Sequence, residues 1–184
     1  SFISSCLHQL SKRAGNPFVI LHADLMQSQG AIIDAVEKAG GGTLVLDGVS
    51  DLSSAAQLTV LHALGEPINQ TARLISIAAP KILTDVQNGN FRNDLFFRIS
   101  ALQLTVPALR ERVEDILILA EHFIKVASPE TSQQFCSVGM ELLKSFSWPG
   151  NVRQLQNVIA QLLMESQNTI FESSVIEDIL KKGG

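Results

Sequence analysis

"GGTLVLDGVSDL", residues 41–52, decides the fold. Two glycines lead into Thr43, Leu44, Val45 and Leu46, four residues that tolerate burial, and the run ends on Asp47. A short apolar stretch of this kind reads as a strand in a parallel sheet covered on both faces. Asp47 then stands at a strand's carboxyl end, where open α/β sheets bind ligands. A carboxylate there can hold Mg²⁺, directly or through water, and so position nucleotide phosphates. The same residue type also serves as a simple turn or helix cap, and both readings stay open on this feature alone.

Working outward, "PFVILHA" (17–23) and "RLISIAA" (73–79) read as further strands, and "FRISALQLTVPAL" (97–109) contains a fourth that stops at Pro107. Helical patterns lie between them. Ile3, Leu7 and Leu10 share a face in residues 2–12. "GAIIDAVEKAGGG" (30–42) closes on glycines. Residues 51–64 carry a stripe of Leu52, Ala56, Val60 and Leu64, with Asp51 or Ser53 as cap. "ILTDVQNG" ends at Gly89. Strands alternating with helices predict a parallel sheet. After about residue 113 the texture changes to four helical patterns without a strand: 114–127, 135–146, 151–166 and 173–182. The fold class is α/β, with a helical subdomain after it. The boundaries expected are 1–112 and 113–184, with "VPALRERVEDI" (106–116) as the hinge.

Bulk properties narrow the function. The chain has 184 residues, a net charge of −4 and a pI near 5.5. That balance excludes a whole-surface attraction to nucleic acid. Cys6 and Cys136 are far apart and outside any paired motif, so both read as reduced, small, buried residues. No apolar run reaches membrane-spanning length and no leader pattern opens the chain, which together predict a cytoplasmic location. His8, His22, His62 and His122 lack metal-ligand spacing, and His22, inside an apolar strand, reads as a core residue. No Ser/His/Asp or Cys/His arrangement is legible.

Three arginines carry the remaining signal. "FRNDLFFR" sets Arg92 and Arg98 six residues apart. Guanidinium matches phosphate bidentately, so two arginines near a subunit edge can reach a neighbour's phosphates. The plain alternative is a pair of surface arginines with Asp94 as a local partner. "SWPGNVRQLQN" (147–157) buries an aromatic, turns at Pro149-Gly150, and projects Arg153 from the first turn of a helix. There it can address a phosphate in the cleft between subdomains, or simply face solvent.

Taken together, "GGTLVLDGVSDL", "GNFRNDLFFRISALQLTVPALRERVEDI" (89–116) and "SFSWPGNVRQLQNVI" (145–159) resemble the central AAA+ domain of bacterial enhancer-binding proteins, the sigma-54-dependent transcriptional activators. "LHQLSKRAGNPFVILHADL" (7–25) is similar to the family's helix and strand after the phosphate loop. The resemblance covers nearly the whole chain. It implies an AAA+ P-loop-type parallel sheet with flanking helices and a C-terminal α-helical lid. It also implies ATP and Mg²⁺ as cofactors, with nucleotide at the interfaces of a dimer or hexamer. Asp47 matches the Walker B aspartate, Arg92 and Arg98 the trans-acting arginines, and Arg153 the sensor II arginine. RNA polymerase holoenzyme is the implied partner of the parent protein. DNA would be met through a separate C-terminal domain, with no membrane involved.

Departures from the family are specific. No G-x-x-x-x-G-K-[ST] occurs, and Ser1 aligns near the end of where that loop would stand. Gly48 takes the place of the Walker B glutamate, and Ala79 that of the sensor I asparagine. Only Met26 to Gly41 fill the region of the sigma-contacting GAFTGA loop, and "GEPINQTA" (65–72) is a cut-down hairpin. The expectation is a regulatory core impaired in ATP hydrolysis and in sigma-54 contact. It would act in oligomerisation or ligand-gated control. The alternative is an active ATPase that remodels the holoenzyme with a P-loop upstream of this chain.

Overall fold

Three parallel strands, β1 (Phe18–His22), β2 (Thr43–Asp47) and β3 (Arg73–Ile77), lie in the order β1-β2-β3. The computed structural model describes residues 2–65, 72–130, 133–166 and 168–182. Most of the shortened hairpin at 65–72, together with Ser1 and the terminal glycines, lies outside the described residues. Register places Phe18, Thr43 and Arg73 at one end of the sheet and His22, Asp47 and Ile77 at the other. β2 is central. Thr43 to Leu46 are buried, Leu44 to Leu46 as their apolarity requires and Thr43 with its hydroxyl paired to His8, and Asp47 emerges at the carboxyl edge.

Gly42 sets the entry of β2. A Cβ there would meet the Pro17 carbonyl oxygen at 1.9 Å and the Ala39 oxygen at 2.8 Å. That close approach lets Thr43 N–H donate to Pro17 (2.9 Å) and Gly42 accept from Arg73 N–H (2.9 Å), so one glycine aligns all three strands. Helices α1 (Phe2–Gln9), α2 (Gln29–Ala39), α3 (Ser54–Gly65), α4 (Ile82–Gln87) and α5 (Asn93–Ile99) accompany the sheet. Ser53 caps α3, its hydroxyl accepting from Ala56 N–H at 3.3 Å. The core is built from Leu44, Leu46, Ile32, Val36, Val60 and Leu95 with their neighbours.

Several expectations need correction. α1 buries Ser4 and His8, whereas Leu10 is 88% exposed and Ile3 and Leu7 are only partly covered. The helix is held by His8, whose Nδ1 pairs with Thr43 Oγ1 at 2.9 Å and whose ring lies 5.0 Å from that of Phe18. The fourth strand does not form. Residues 93–99 are helical, and residues 101–107 are exposed and pair with no strand. β3 has β2 as its one neighbour among the described residues. Leu102, Leu104 and Val106 alternate as a strand would, yet they pair with neither edge of the sheet. Cys6 and Cys136 are free but half-buried. Cys136 caps a helix, its Sγ accepting from Gly139 N–H.

The chain divides into two compact units, Ser1–Gln103 and Leu104–Gly184. The second holds α6 (Glu114–Ala127), α7 (Ser137–Ser145), α8 (Asn151–Glu165) and α9 (Ser173–Lys182). Its own core includes Leu109, Ile116, Leu143, Trp148, Leu155, Phe171 and Ile176. Two-residue strands β4 (Gln134–Phe135) and β5 (Ile170–Phe171) pair in parallel, too short to leave a periodic signal. Among the described residues, no helix is long and apolar enough to cross a membrane.

Candidate functional site

The carboxyl edge of the sheet gathers the polar groups of the first unit. Asp47 ends β2 with its side chain 28% exposed. His22 ends β1 beside it, Nδ1 lying 3.8 Å from Asp47 Oδ2. His22 is thus an edge residue, with its side chain 63% exposed, and not the core residue expected. The strand's apolar run stops one residue before it.

Gly48 turns the chain sharply, with φ 85° and ψ 29° in the left-handed region. Its N–H donates to Ile77 at 3.0 Å, and its carbonyl accepts from Asp51 N–H at 2.9 Å. A Cβ at 48 would sit 3.8 Å from Asp51 Oδ2. Asp51 pairs with Lys81 Nζ at 2.7 Å, and that bond and charge raise the lysine pKa above its ordinary value. Ala79 offers only its backbone here, its N–H donating to Ser50 Oγ at 3.1 Å.

Arg92 stands at the N-cap of α5 and Arg98 lies in its last turn, and each is tethered. Arg92 forms a two-pronged pair with Asp94, Nε to Oδ1 at 3.0 Å and Nη2 to Oδ2 at 2.6 Å. The local partner foreseen in the sequence is therefore present. The guanidinium holds the Asp94 carboxyl below its usual range, and the Arg92 pKa rises in return. Arg98 donates through Nη2 to the Leu64 carbonyl near the end of α3. These contacts fix where the two side chains start while leaving Arg92 43% exposed.

Arg153 belongs to the second unit. The turn before it is unusual, with Trp148 (φ 46°) and Asn151 (φ 52°) both left-handed. Trp148 is fully buried, and its Nε1 donates to Leu143 at 2.8 Å. Asn151 Oδ1 accepts from Leu109 N–H at 2.8 Å, which locks the start of α8 onto the turn at Leu109–Glu111. Arg153 is exposed on the first turn of α8 and lines an open depression with Pro149, Gly150, Gln154 and Asn157.

Sequence reasoning missed Gln57. It is 2% exposed in α3, beside the stripe of Leu52, Ala56, Val60 and Leu64 and not part of it. Its Nε2 donates to Leu52 and Asn90 carbonyls, each at 3.1 Å, and its Oε1 accepts from Arg92 N–H at 2.8 Å. A glutamine directly after Ala56 and one turn before Val60, on the buried side of the helix, was the available signal.

Comparison with known proteins decides the family. A family profile described as the sigma-54 interaction domain matches residues 1–109, and one described as the AAA+ ATPase lid domain matches residues 110–183. The chain belongs to the sigma-54 interaction domain family. Its relatives are NtrC-like sigma-54-dependent activators. The DNA-binding transcriptional regulator NtrC of Rhizobium meliloti is 32% identical, over 97% of this chain and 43% of that protein. The transcriptional regulatory protein GlrR of Escherichia coli is 30% identical, over 97% of this chain and 47% of that protein. The crystal structure of NtrX from Brucella abortus in complex with ATP superposes with a TM-score of 0.83 at 29% identity, covering 97% of this chain and 48% of that one. The chain thus spans less than half the length of these relatives and corresponds to their AAA+ region. The NtrC alignment runs over 209 positions, more than the 184 residues here, so that relative carries residues with no counterpart in this chain.

Proposed function

We propose that this domain is a nucleotide-responsive assembly module of a bacterial transcription regulator, one that hydrolyses ATP slowly or not at all. The observation that carries the reading is the end of β2. Asp47 ends β2 at the carboxyl edge of the sheet, where it would hold Mg²⁺, but the next residue is a left-handed glycine that projects no side chain. A water-positioning carboxylate contributes roughly 10²–10⁴-fold to such reactions. Ala79 adds no polar side chain on the neighbouring strand exit.

Asp47 fits a nucleotide-bound cation better than a free one. Mg²⁺ keeps several waters and is commonly held by one or two carboxylates together with phosphates. Among the described residues no group of three His, Cys, Asp or Glu could hold a metal ion alone. Bound Mg²⁺ would neutralise phosphate charge. Asp47 would orient the ion, Arg92 and Arg98 would serve a neighbouring subunit's nucleotide, and Arg153, in the second unit, matches the family's sensor II arginine. Self-association, as a dimer or hexamer, follows from that division of labour. Contact with RNA polymerase holoenzyme and DNA would come through the parent protein. With only residues 26–41 in the sigma-contacting region, contact with sigma-54 in the family's usual way is not expected.

The active-ATPase reading draws support from one observation: Asp47, Arg92, Arg98 and Arg153 are all retained. Single-turnover and steady-state measurements with Mg-ATP on the full-length protein separate the two. Binding with turnover at least a hundredfold below that of an active relative supports the assembly module, and comparable turnover supports the ATPase.

A further inference from the structure

Both arginines are referred to one helix. Arg98 bonds the Leu64 carbonyl near the C-terminal end of α3, and Arg92 is held through Gln57 near its start. α3 follows Asp47 with only Gly48, a single 3-10 turn (Val49–Asp51), Leu52 and Ser53 between them. We propose that Gln57 is a positioning residue that carries the state of the Asp47 end of β2 to Arg92. The inference rests on the reading above, that Arg92 serves a neighbour's nucleotide.

The side chain joins two backbones that no strand pairing connects. On one side is the Leu52 carbonyl, five residues after Asp47, whose segment is pinned to β3 by the Gly48 to Ile77 hydrogen bond. On the other side are the Asn90 carbonyl and the Arg92 N–H. The amide uses its oxygen once and its nitrogen twice, so donors and acceptors match the partners they meet. Phe91 before it and Leu95 in α5, 2% and 0% exposed, anchor the chain on either side of Arg92, whose side chain faces out beside those of Asn93 and Asp94. A shift at Leu52 must therefore either break a buried hydrogen bond or move Arg92. Breaking the bond to Leu52, the buried one of the three, is costly because its freed groups are shielded from water. Asp94 fixes the guanidinium and Gln57 fixes the backbone, so the arginine has two supports with different origins.

The test uses the full-length protein with Mg-ATP and four variants: Gln57→Leu, Gln57→Met, Arg92→Ala and the Gln57→Leu/Arg92→Ala double variant. Sedimentation measures Mg-ATP-dependent self-association. Titration at dilute concentration measures Mg-ATP affinity of the unassembled protein, and thermal unfolding monitors integrity. Gln57→Leu is expected to weaken association about tenfold, the scale of a misplaced charge-assisted contact, with affinity changed less than twofold. In the Arg92→Ala background the same substitution should add nothing, because its effect passes through Arg92. Should Gln57→Leu unfold, Gln57→Met, closer in length, takes its place in the same cycle. Additive effects, or unaltered association in the Gln57 variants, overturn the coupling while leaving the assembly module intact. Absence of Mg-ATP-dependent association in the unaltered protein overturns both, and is recognised before any variant is made.

Discussion

Replacing Gly48 tests the geometry at the end of β2 and separates strain from chemistry. The residue sits at φ 85°, ψ 29°. A side chain in that region costs roughly 1–2 kcal/mol through the Cβ–carbonyl clash. Space adds little to this, because a Cβ would lie 3.4 Å from Ala23 Cβ, an ordinary contact. Gly48→Ala should therefore destabilise the first unit by about 1–2 kcal/mol. Gly48→Glu should cost about the same, since Lys81 offsets the charge of Asp51. Urea unfolding followed by circular dichroism reads both. Turnover with Mg-ATP by the full-length protein then isolates the carboxylate. Relative to Gly48→Ala, Gly48→Glu should hydrolyse faster by roughly 10²–10⁴-fold. A Gly48→Ala protein as stable as the parent would refute the left-handed turn. Equal turnover in the two variants would refute the claim that a missing carboxylate limits the reaction.

Gly42→Ala should be far more damaging than Gly41→Ala. The first drives a Cβ to 1.9 Å from a backbone oxygen, whereas at the second the nearest atom is a side-chain nitrogen at 3.8 Å. We expect a loss above about 3 kcal/mol for Gly42→Ala and little change for Gly41→Ala, read as urea midpoints. Trp148→Ala should cost the second unit about 3–5 kcal/mol, measured the same way, because a fully buried indole and its bond to Leu143 are both lost. Asp94 should titrate below the ordinary carboxylate range, its hydrogen bond to Arg92 being the first cause. A depressed folded pKa stabilises above the unfolded value, and that contribution disappears as pH falls through the folded one. Carbon-detected NMR of the carboxyl should show the low pKa, and Arg92→Ala should return it toward normal.

The parts of the fold written in local periodicity were legible, and those that depend on partners were not. β1, β2, β3 and the four helices of the second unit follow from apolar runs, glycine stops and helical stripes. The strand expected in residues 97–109 has the alternation of a strand, yet residues 93–99 are helical and 101–107 pair with neither edge of the sheet, and local spacing does not report pairing. α1 misled because its apolar stripe is the exposed side, while a single polar contact, His8 to Thr43, orients the helix. His22 looked buried because its strand is apolar, yet the sheet ends at that residue. Of the site, the family motifs marked Asp47, Arg92, Arg98 and Arg153 as positions, and the ion partner of Arg92 was also foreseen. The bond of Arg98 to Leu64 and the Gln57 bridge join segments 34 and 35 residues apart, beyond the reach of any local pattern.

The most direct test is Mg-ATP binding and turnover by the unmodified full-length protein, followed in the same sample as self-association. The account predicts saturable binding that promotes assembly, with hydrolysis at least a hundredfold slower than in an active relative. Rapid steady-state hydrolysis would contradict it, showing that the group missing at Gly48 is supplied from elsewhere.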